Sequence, residues 1–402
     1  MKGILAANFM RITDIRETSV ALKSSLRNAA FDFSEMTTSV VAVITDVVRE
    51  GRPVAGFAFN STGRYACGAQ MRDRFIPRIL KEQPESLVNA MGDNLDPEKI
   101  LACMMSREKP GGHTERSVAI GTIEVAVWDA VAKIAGKSLC HVLAEKHNKG
   151  KCPKRVPCYV GGGWYEPGKG LQELQDEIRG RLDQGYRTMK IKVGGAAIPQ
   201  DVKRIDAALK VVGSGDHLAV DANAAFDRGR ALAYAKALAP YDLRWFEEPC
   251  DPLDYALLSD VAHDYDAPLA TGENLFSTQD VHNLVSYGGL RGDRDILQMD
   301  VPQSYGIVQF SRTLAMLEQL GWKRKSVFPH GGNQMTLAIV GGFGLGGCEA
   351  YPGVFGPFAG FADDACVEKG AINLPDRPGI GFEAQNALYA VMKELITGSR
   401  RR

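Results

Sequence analysis

Three carboxylates stand at an even step along the second half of this chain, and each closes a short apolar run. Leu218-Ala219-Val220 leads into Asp221, Trp245-Phe246 into Glu247, and Leu269-Ala270-Thr271-Gly272 into Glu273. Asp221 to Glu247 is 26 residues, and Glu247 to Glu273 is 26 again. That step holds about one strand, one helix and two loops. A succession of such units closes into a (β/α)₈ barrel, whose parallel strands all end at one mouth. Three acids on successive strand ends would converge there as an all-oxygen pocket. Hard divalent cations, Mg²⁺ above all, prefer such a pocket. One strand-end acid is an ordinary cap or a solvated side chain. Three in consecutive units are not explained that way.

The pattern around these acids predicts strands over 156–160, 187–193, 217–221, 243–247, 268–273, 295–300, 326–330 and 346–351. Helical stretches fall between them, such as 170–183, 201–212, 228–238, 277–286 and 305–319. The first part of the chain reads differently. Thr38–Val48 is β-rich, Arg49-Glu50-Gly51-Arg52 is a turn, and Gly56–Phe59 is a returning strand. Residues 70–108 read as helical with breaks at Pro84 and Pro97. Glu115–Ala135 reads as a long helix with Ile120, Ile123, Val127 and Val131 on one stripe. The prediction is an α/β protein in three parts. Residues 1–150 form an α+β capping domain, 151–360 a modified (β/α)₈ TIM-type barrel with the mouth, and 361–402 a segment returning to the cap.

Lys190 and Lys192 flank Ile191, so in a strand both point to one face. Two neighbouring ammonium groups disfavour each other's charge and lower at least one pKa, which suits a general base. A pair of solvated lysines is the plainer reading of the dipeptide spacing alone, but these lie just upstream of the acid ladder. His330 ends Ser326-Val327-Phe328-Pro329, and Asp300 ends Ile296-Leu297-Gln298-Met299. On adjacent strands the carboxylate would hold the imidazole and raise its pKa. Asn223, Glu248 and Asn274 follow the ladder acids closely and are candidates to orient them or a bound water. Together these residue types fit removal of a proton beside a carboxylate. The enediolate so formed carries two charges, and a divalent cation stabilises it as it develops.

Lys+Arg and Asp+Glu both number 48, so bulk charge argues for neither nucleic acid nor an anionic membrane. No run of 18 apolar residues exists, and the N-terminal apolar stretch is interrupted at Asn8 and Arg11. The eight cysteines show no CxxC spacing. A reduced, cytoplasmic protein without zinc is the simple expectation.

With these residues in place the chain resembles the enolase superfamily, and within it the mandelate racemase/muconate lactonizing group. The resemblance rests on Lys190-Ile-Lys192, Asp221-Ala-Asn223, Glu247-Glu-Pro249, Gly272-Glu273-Asn274, Asp300 and His330, and it spans nearly the whole chain. Sites of that superfamily pair a Lys or His base with Mg²⁺. Stretches such as Arg27-Asn28-Ala29, Gly63-Arg64-Tyr65 and Glu108-Lys109-Pro110-Gly111-Gly112-His113 are similar to the D-tartrate dehydratases. That resemblance implies Lys192 as base, His330 as acid held by Asp300, and Asp221, Glu247 and Glu273 on Mg²⁺. It further implies substrate contacts from Asn28, Lys109, Lys190 and Glu349, and a homo-oligomer between dimer and octamer. Thr62 stands where those enzymes carry a polar amide, and Trp164 where they carry a tyrosine; both are candidates to line the pocket. The expected activity is dehydration of a small hydroxy-diacid, tartrate to oxaloacetate. The rivals are an acid-sugar dehydratase or racemase of the same superfamily, a silent ligand- or metal-binding homologue, and a purely structural barrel. Intact Lys192 and His330 disfavour the silent homologue, because binding needs neither.

Overall fold

The computed structural model describes residues 9–24, 26 and 31–398. Its first unit is an antiparallel sheet of β1 (Ile12–Ala21), β2 (Thr37–Arg49) and β3 (Arg52–Phe59), in that order. Glu50 and Gly51 both take positive φ and form the two-residue turn between β2 and β3. β1 is not legible in the sequence: it is a half-buried edge strand interrupted by Asp14, Arg16 and Glu17. Helix α1 (Ile76–Lys81) ends a helical run from Gly68, and α2 (Pro97–Met105) follows. Pro97 does not break a helix but begins one, with the Asp96 side chain accepting from the N–H groups of Glu98 and Lys99. Then come α3 (Glu115–Ile134) and α4 (Leu139–His147).

The barrel strands are β4 (Arg155–Gly162), β5 (Met189–Lys192), β6 (Leu218–Asp221), β7 (Trp245–Glu247), β8 (Leu269–Thr271), β9 (Ile296–Leu297) and β10 (Cys348–Ala350). They run parallel in chain order from β4 to β9, and β10 returns to pair with β4. The predicted strand at 326–330 is reduced to one bridge, Val327 with Leu297, although it holds the seventh position between β9 and β10. Pro329 has no N–H to extend a ladder, and the chain turns away at Gly331-Gly332. Outside lie α5 (Leu171–Asp183), α6 (Ile198–Val212), α7 (Arg228–Leu238), α8 (Tyr255–Asp264), α9 (Thr278–Tyr287), α10 (Ile307–Gln319) and α11 (Gln334–Phe343). This is the (β/α)₈ architecture with a cap that the acid ladder predicts.

The carboxy-terminal stretch divides in two. Its hairpin, β11 (Val367–Glu368) and β12 (Ala371–Asn373), pairs antiparallel with β4 and so sits on the barrel, not on the cap. The stretch after the hairpin returns to the cap: Phe382 packs against Phe59 of β3, and α12 (Asn386–Thr397) lies against β1 and β2. Arg16 donates to the Leu395 carbonyl at 2.8 Å, satisfying an end group of that helix.

Helix α3 joins all three parts. It is buried on almost every side, so the predicted stripe is only a fraction of its packed surface. Glu124 accepts from the N–H groups of Ile307 and Val308 at 2.7 and 2.9 Å, and so caps α10. Asp129 accepts from Phe57 in β3 at 2.8 Å and from Ile380 at 2.6 Å. One cysteine expectation is corrected: Cys140 at the start of α4 and Cys152 in the linker form a disulfide. The turn of α4 brings them together across 12 residues, a separation that matches no motif. Among the described residues, no helix is long and apolar enough to cross a membrane.

Candidate active site

Register places the predicted residues at one end of the barrel. Lys192 pairs across the sheet with Asp221, and Asp221 with Glu247. Glu273 follows β8 by two residues. Asp221, Glu247 and Lys190 are buried, and Glu273 keeps 13 % of its side chain exposed. Because side chains alternate along a strand, Lys190 and Lys192 both turn inward.

Their charges are only partly matched. Lys192 Nζ donates to Asp221 at 2.5 Å. Lys190 Nζ donates to Glu247 at 2.5 Å and stands 2.7 Å from Glu349 and 3.5 Å from Asp221. Burial works against its charge, but Glu247 and Glu349 outweigh burial and hold its pKa well above the usual lysine value. The expected lowering of at least one of the pair therefore does not fall on Lys190, where the paired carboxylates decide. Burial, with Asp221, Glu273 and Glu349, pushes Glu247 up to about 8 against the pull of Lys190. Burial and then Glu273 and Asp221 push Glu248 up as well. Asn274 Nδ2 donates to both oxygens of Glu248, at 2.7 and 2.9 Å.

Among the described residues no three His, Cys, Asp or Glu side chains are gathered as a group that could hold a metal ion. Asp221 and Glu247 are bonded instead to Lys192 and Lys190. The donor set nevertheless suits a hard cation. It is all oxygen and anionic, with Asp221 and Glu247 buried, and burial together with the neighbouring carboxylates holds Glu247 above the usual carboxylate range.

Asp300 Oδ2 lies 2.8 Å from His330 Nδ1, and Ser61 Oγ lies 3.4 Å from the same nitrogen. The other ring nitrogen, Nε2, lies 3.9 Å from Glu273. Burial alone would lower the pKa of His330. Glu273 and the hydrogen bond that His330 makes to Asp300 outweigh it and push the value up to about 10.

Lys192 and His330 line one cavity, together with Glu273, Asn223 and Asn274. It measures about 70 Å³. Thr62 enters from the cap loop, and Trp164, Phe33 and Phe355 narrow it. Trp164 lies over Lys192, with Nζ 4.8 Å from its ring centroid. Glu349 and Lys190 do not line this cavity but lie buried together behind it, with Tyr351 donating to Glu349 at 2.6 Å. Lys109 is not among the residues that line the cavity. It is exposed, and Arg116 fixes its loop by donating to the Lys109 carbonyl at 2.9 Å. Asn28 lies outside the described residues.

Several residues at the site lie outside the strand-end pattern of the acids. Arg64 reaches from the cap to Gln303 Oε1 at 2.7 Å, and also to Asn274. Trp245 Nε1 and Gln298 Nε2 each donate to Glu247 Oε2 at 2.8 Å. The alternation that finds Lys190 beside Lys192 would also find Trp245 beside Glu247 and Gln298 beside Asp300.

A family model described as enolase C-terminal domain-like matches residues 173–388. A 3,6-anhydro-alpha-L-galactonate cycloisomerase from Streptomyces coelicolor is 32% identical over 273 residues, 67% of this chain and 70% of that protein. An L-talarate/galactarate dehydratase from Salmonella typhimurium is 27% identical over 351 residues, 86% of this chain and 81% of that protein. Among solved structures, L-talarate dehydratase from Polaromonas, complexed with Mg and L-glucarate, superposes with a TM-score of 0.72. It is 25% identical, and the match covers 92% of this chain and 94% of that one.

Proposed function

The chain belongs to the enolase superfamily, and within it we propose a Mg²⁺-dependent dehydratase of a small hydroxy-diacid, D-tartrate, giving oxaloacetate and water. The observation that carries this reading is that Lys192, His330 and Glu273 line one and the same cavity. Related dehydratases and the Mg-bound Polaromonas structure support the reaction class and the cation. A cytoplasmic homo-oligomer acting on a small molecule completes the proposal.

Asp221, Glu247 and Glu273 would hold the cation, with Asn274 fixing Glu248 beside them. When bound, the cation supplies the positive charge that makes the proton beside a carboxylate removable. Lys192, freed of Asp221, takes the proton from C2. His330 carries a proton and is fixed by Asp300; it delivers that proton to the departing C3 hydroxyl, which leaves as water. The two groups act from opposite sides, so the elimination is anti. The enol then tautomerises to the keto acid. Trp164 and the aromatic wall exclude water from the lysine.

A second reading is dehydration of a longer acid sugar, since the named relatives act on such compounds. What supports the smaller substrate is the narrowing of the cavity by Phe33, Trp164 and Phe355.

The test separates the two proton transfers. In D₂O, Lys192→Ala should lose both dehydration and exchange of the C2 proton. His330→Asn should lose dehydration by roughly 10²–10⁴. If Lys192→Ala still exchanges C2 while His330→Asn does not, histidine is the base and the assignment is wrong.

A further inference from the structure

The end of the barrel opposite the mouth carries a second polar cleft. It lies under the Tyr159, Trp245 and Phe328 rings that fill the barrel interior, and its cavity measures about 210 Å³. Arg187, Arg244, Lys369 and His217 line it, against a single carboxylate, Asp216.

Arg244 is the innermost of these. Its guanidinium lies 5.3 Å from the Trp245 ring centroid and 5.7 Å from that of Phe328. Nη1 reaches only the Asp216 carbonyl, at 3.4 Å, and Nε is buried with no hydrogen-bond partner. A buried cationic donor left unpaired is costly, and native proteins rarely leave one without a purpose. The nearby acids do not answer it. Asp216 accepts from Ser214 and keeps 74% of its side chain exposed, while Glu368 pairs with Arg155.

The other two cations are placed by the hairpin beneath β4. Lys369 and Gly370 form its two-residue turn, with φ of 52° and 74°. Such turns favour Asn or Asp at the first position, so the lysine stands there against local preference. The Arg187 side chain packs on Gly370, where an added Cβ would meet it at 3.3 to 3.5 Å. Neither Arg187 nor Lys369 forms an ion pair among the described residues. Arginine forks match the geometry of phosphate and carboxylate oxygens.

We propose that this cleft binds a small oxyanion, inorganic phosphate in the first instance, between Arg244, Arg187 and Lys369. The site is distinct from the mouth, because Trp245 stands between them: its ring faces Arg244 and its indole N–H bonds Glu247.

Calorimetric titration of the full chain with phosphate, at fixed ionic strength and with Mg²⁺ present, tests this. Saturable one-to-one binding is expected, with Kd of about 1 mM or tighter. The double variant Arg187→Gln/Lys369→Gln changes two exposed side chains, so its fold is kept, and it should weaken binding at least tenfold. Arg244→Gln should do the same, and Lys192→Ala, at the mouth, should leave the affinity unchanged. Succinate titrated in parallel into wild type and the double variant separates phosphate from carboxylic acids; succinate binding that is tighter than phosphate and is weakened by the double variant would overturn the phosphate assignment. Absence of saturable heat with either anion, or equal phosphate affinity in wild type and the double variant, would overturn the site.

Discussion

At the residue scale, the mouth is a place where buried charges do not balance among themselves. Glu247 is the pivot: it accepts from Lys190, Trp245 and Gln298, yet burial, joined by repulsion from Asp221, Glu273 and Glu349, pushes it up to about 8. A cation would relieve that repulsion. Glu247→Gln should therefore lower Mg²⁺ affinity by about 100-fold or more while circular dichroism stays that of the wild type. Unchanged Mg²⁺ binding by calorimetry would remove Glu247 from the ligand set. The acids, lysines and histidine were legible because each ends or alternates within a short strand. Lys109 was not placed by any such periodicity, and the structure leaves it exposed on its loop. The role of Arg64 was not legible from the stretch Gly63-Arg64-Tyr65, because only tertiary folding brings the cap loop to Gln303.

At the element scale, α3 and its caps decide how cap and barrel meet. Gly306 takes φ of 87° ahead of α10, and an added Cβ would stand 2.1 Å from the Glu124 carboxylate. Gly306→Ala should cost about 1–3 kcal/mol of stability by urea unfolding, through that clash and the disfavoured φ. An unchanged midpoint would deny Glu124 its capping role. His147 ends α4 and stacks on Phe343 of α11 at 4.7 Å. Burial, with Lys146 and Arg324 adding, holds its pKa down to about 4. The unfolded chain takes up that proton near 6.5, so the folded chain loses stability as pH falls from 6.5 towards 4. His147→Gln should lose less Tm than wild type between pH 7 and 4.5; equal losses would contradict this. Most barrel elements were legible from apolar runs between turns. β1 was not, because an edge strand carries charge on its open side. The position at 326–330 was legible in place but not in form, since Pro329 prevents a ladder.

At the scale of the whole molecule, the disulfide and the closed barrel constrain the chain most. Cys140–Cys152 closes a loop of 12 residues' separation. Loop closure of that length is worth about 3 kcal/mol. Dithiothreitol should lower the urea midpoint of the wild type and leave that of Cys152→Ser unmoved; no effect on the wild type would mean the thiols are free in solution. Cysteine spacing could not reveal this bond, because it depends on where α4 begins. The ladder of acids, by contrast, dictated the architecture, since the 26-residue step admits few ways to bring three strand ends together. The central claim is that this mouth dehydrates a four-carbon hydroxy-diacid. Purified enzyme with Mg²⁺ should be incubated with D-tartrate, its stereoisomers and six-carbon acid sugars, and keto acid measured in each. The account predicts oxaloacetate from D-tartrate, lost on chelation and in Lys192→Ala. Turnover of the six-carbon acids alone, or racemisation of tartrate without keto acid, would contradict it.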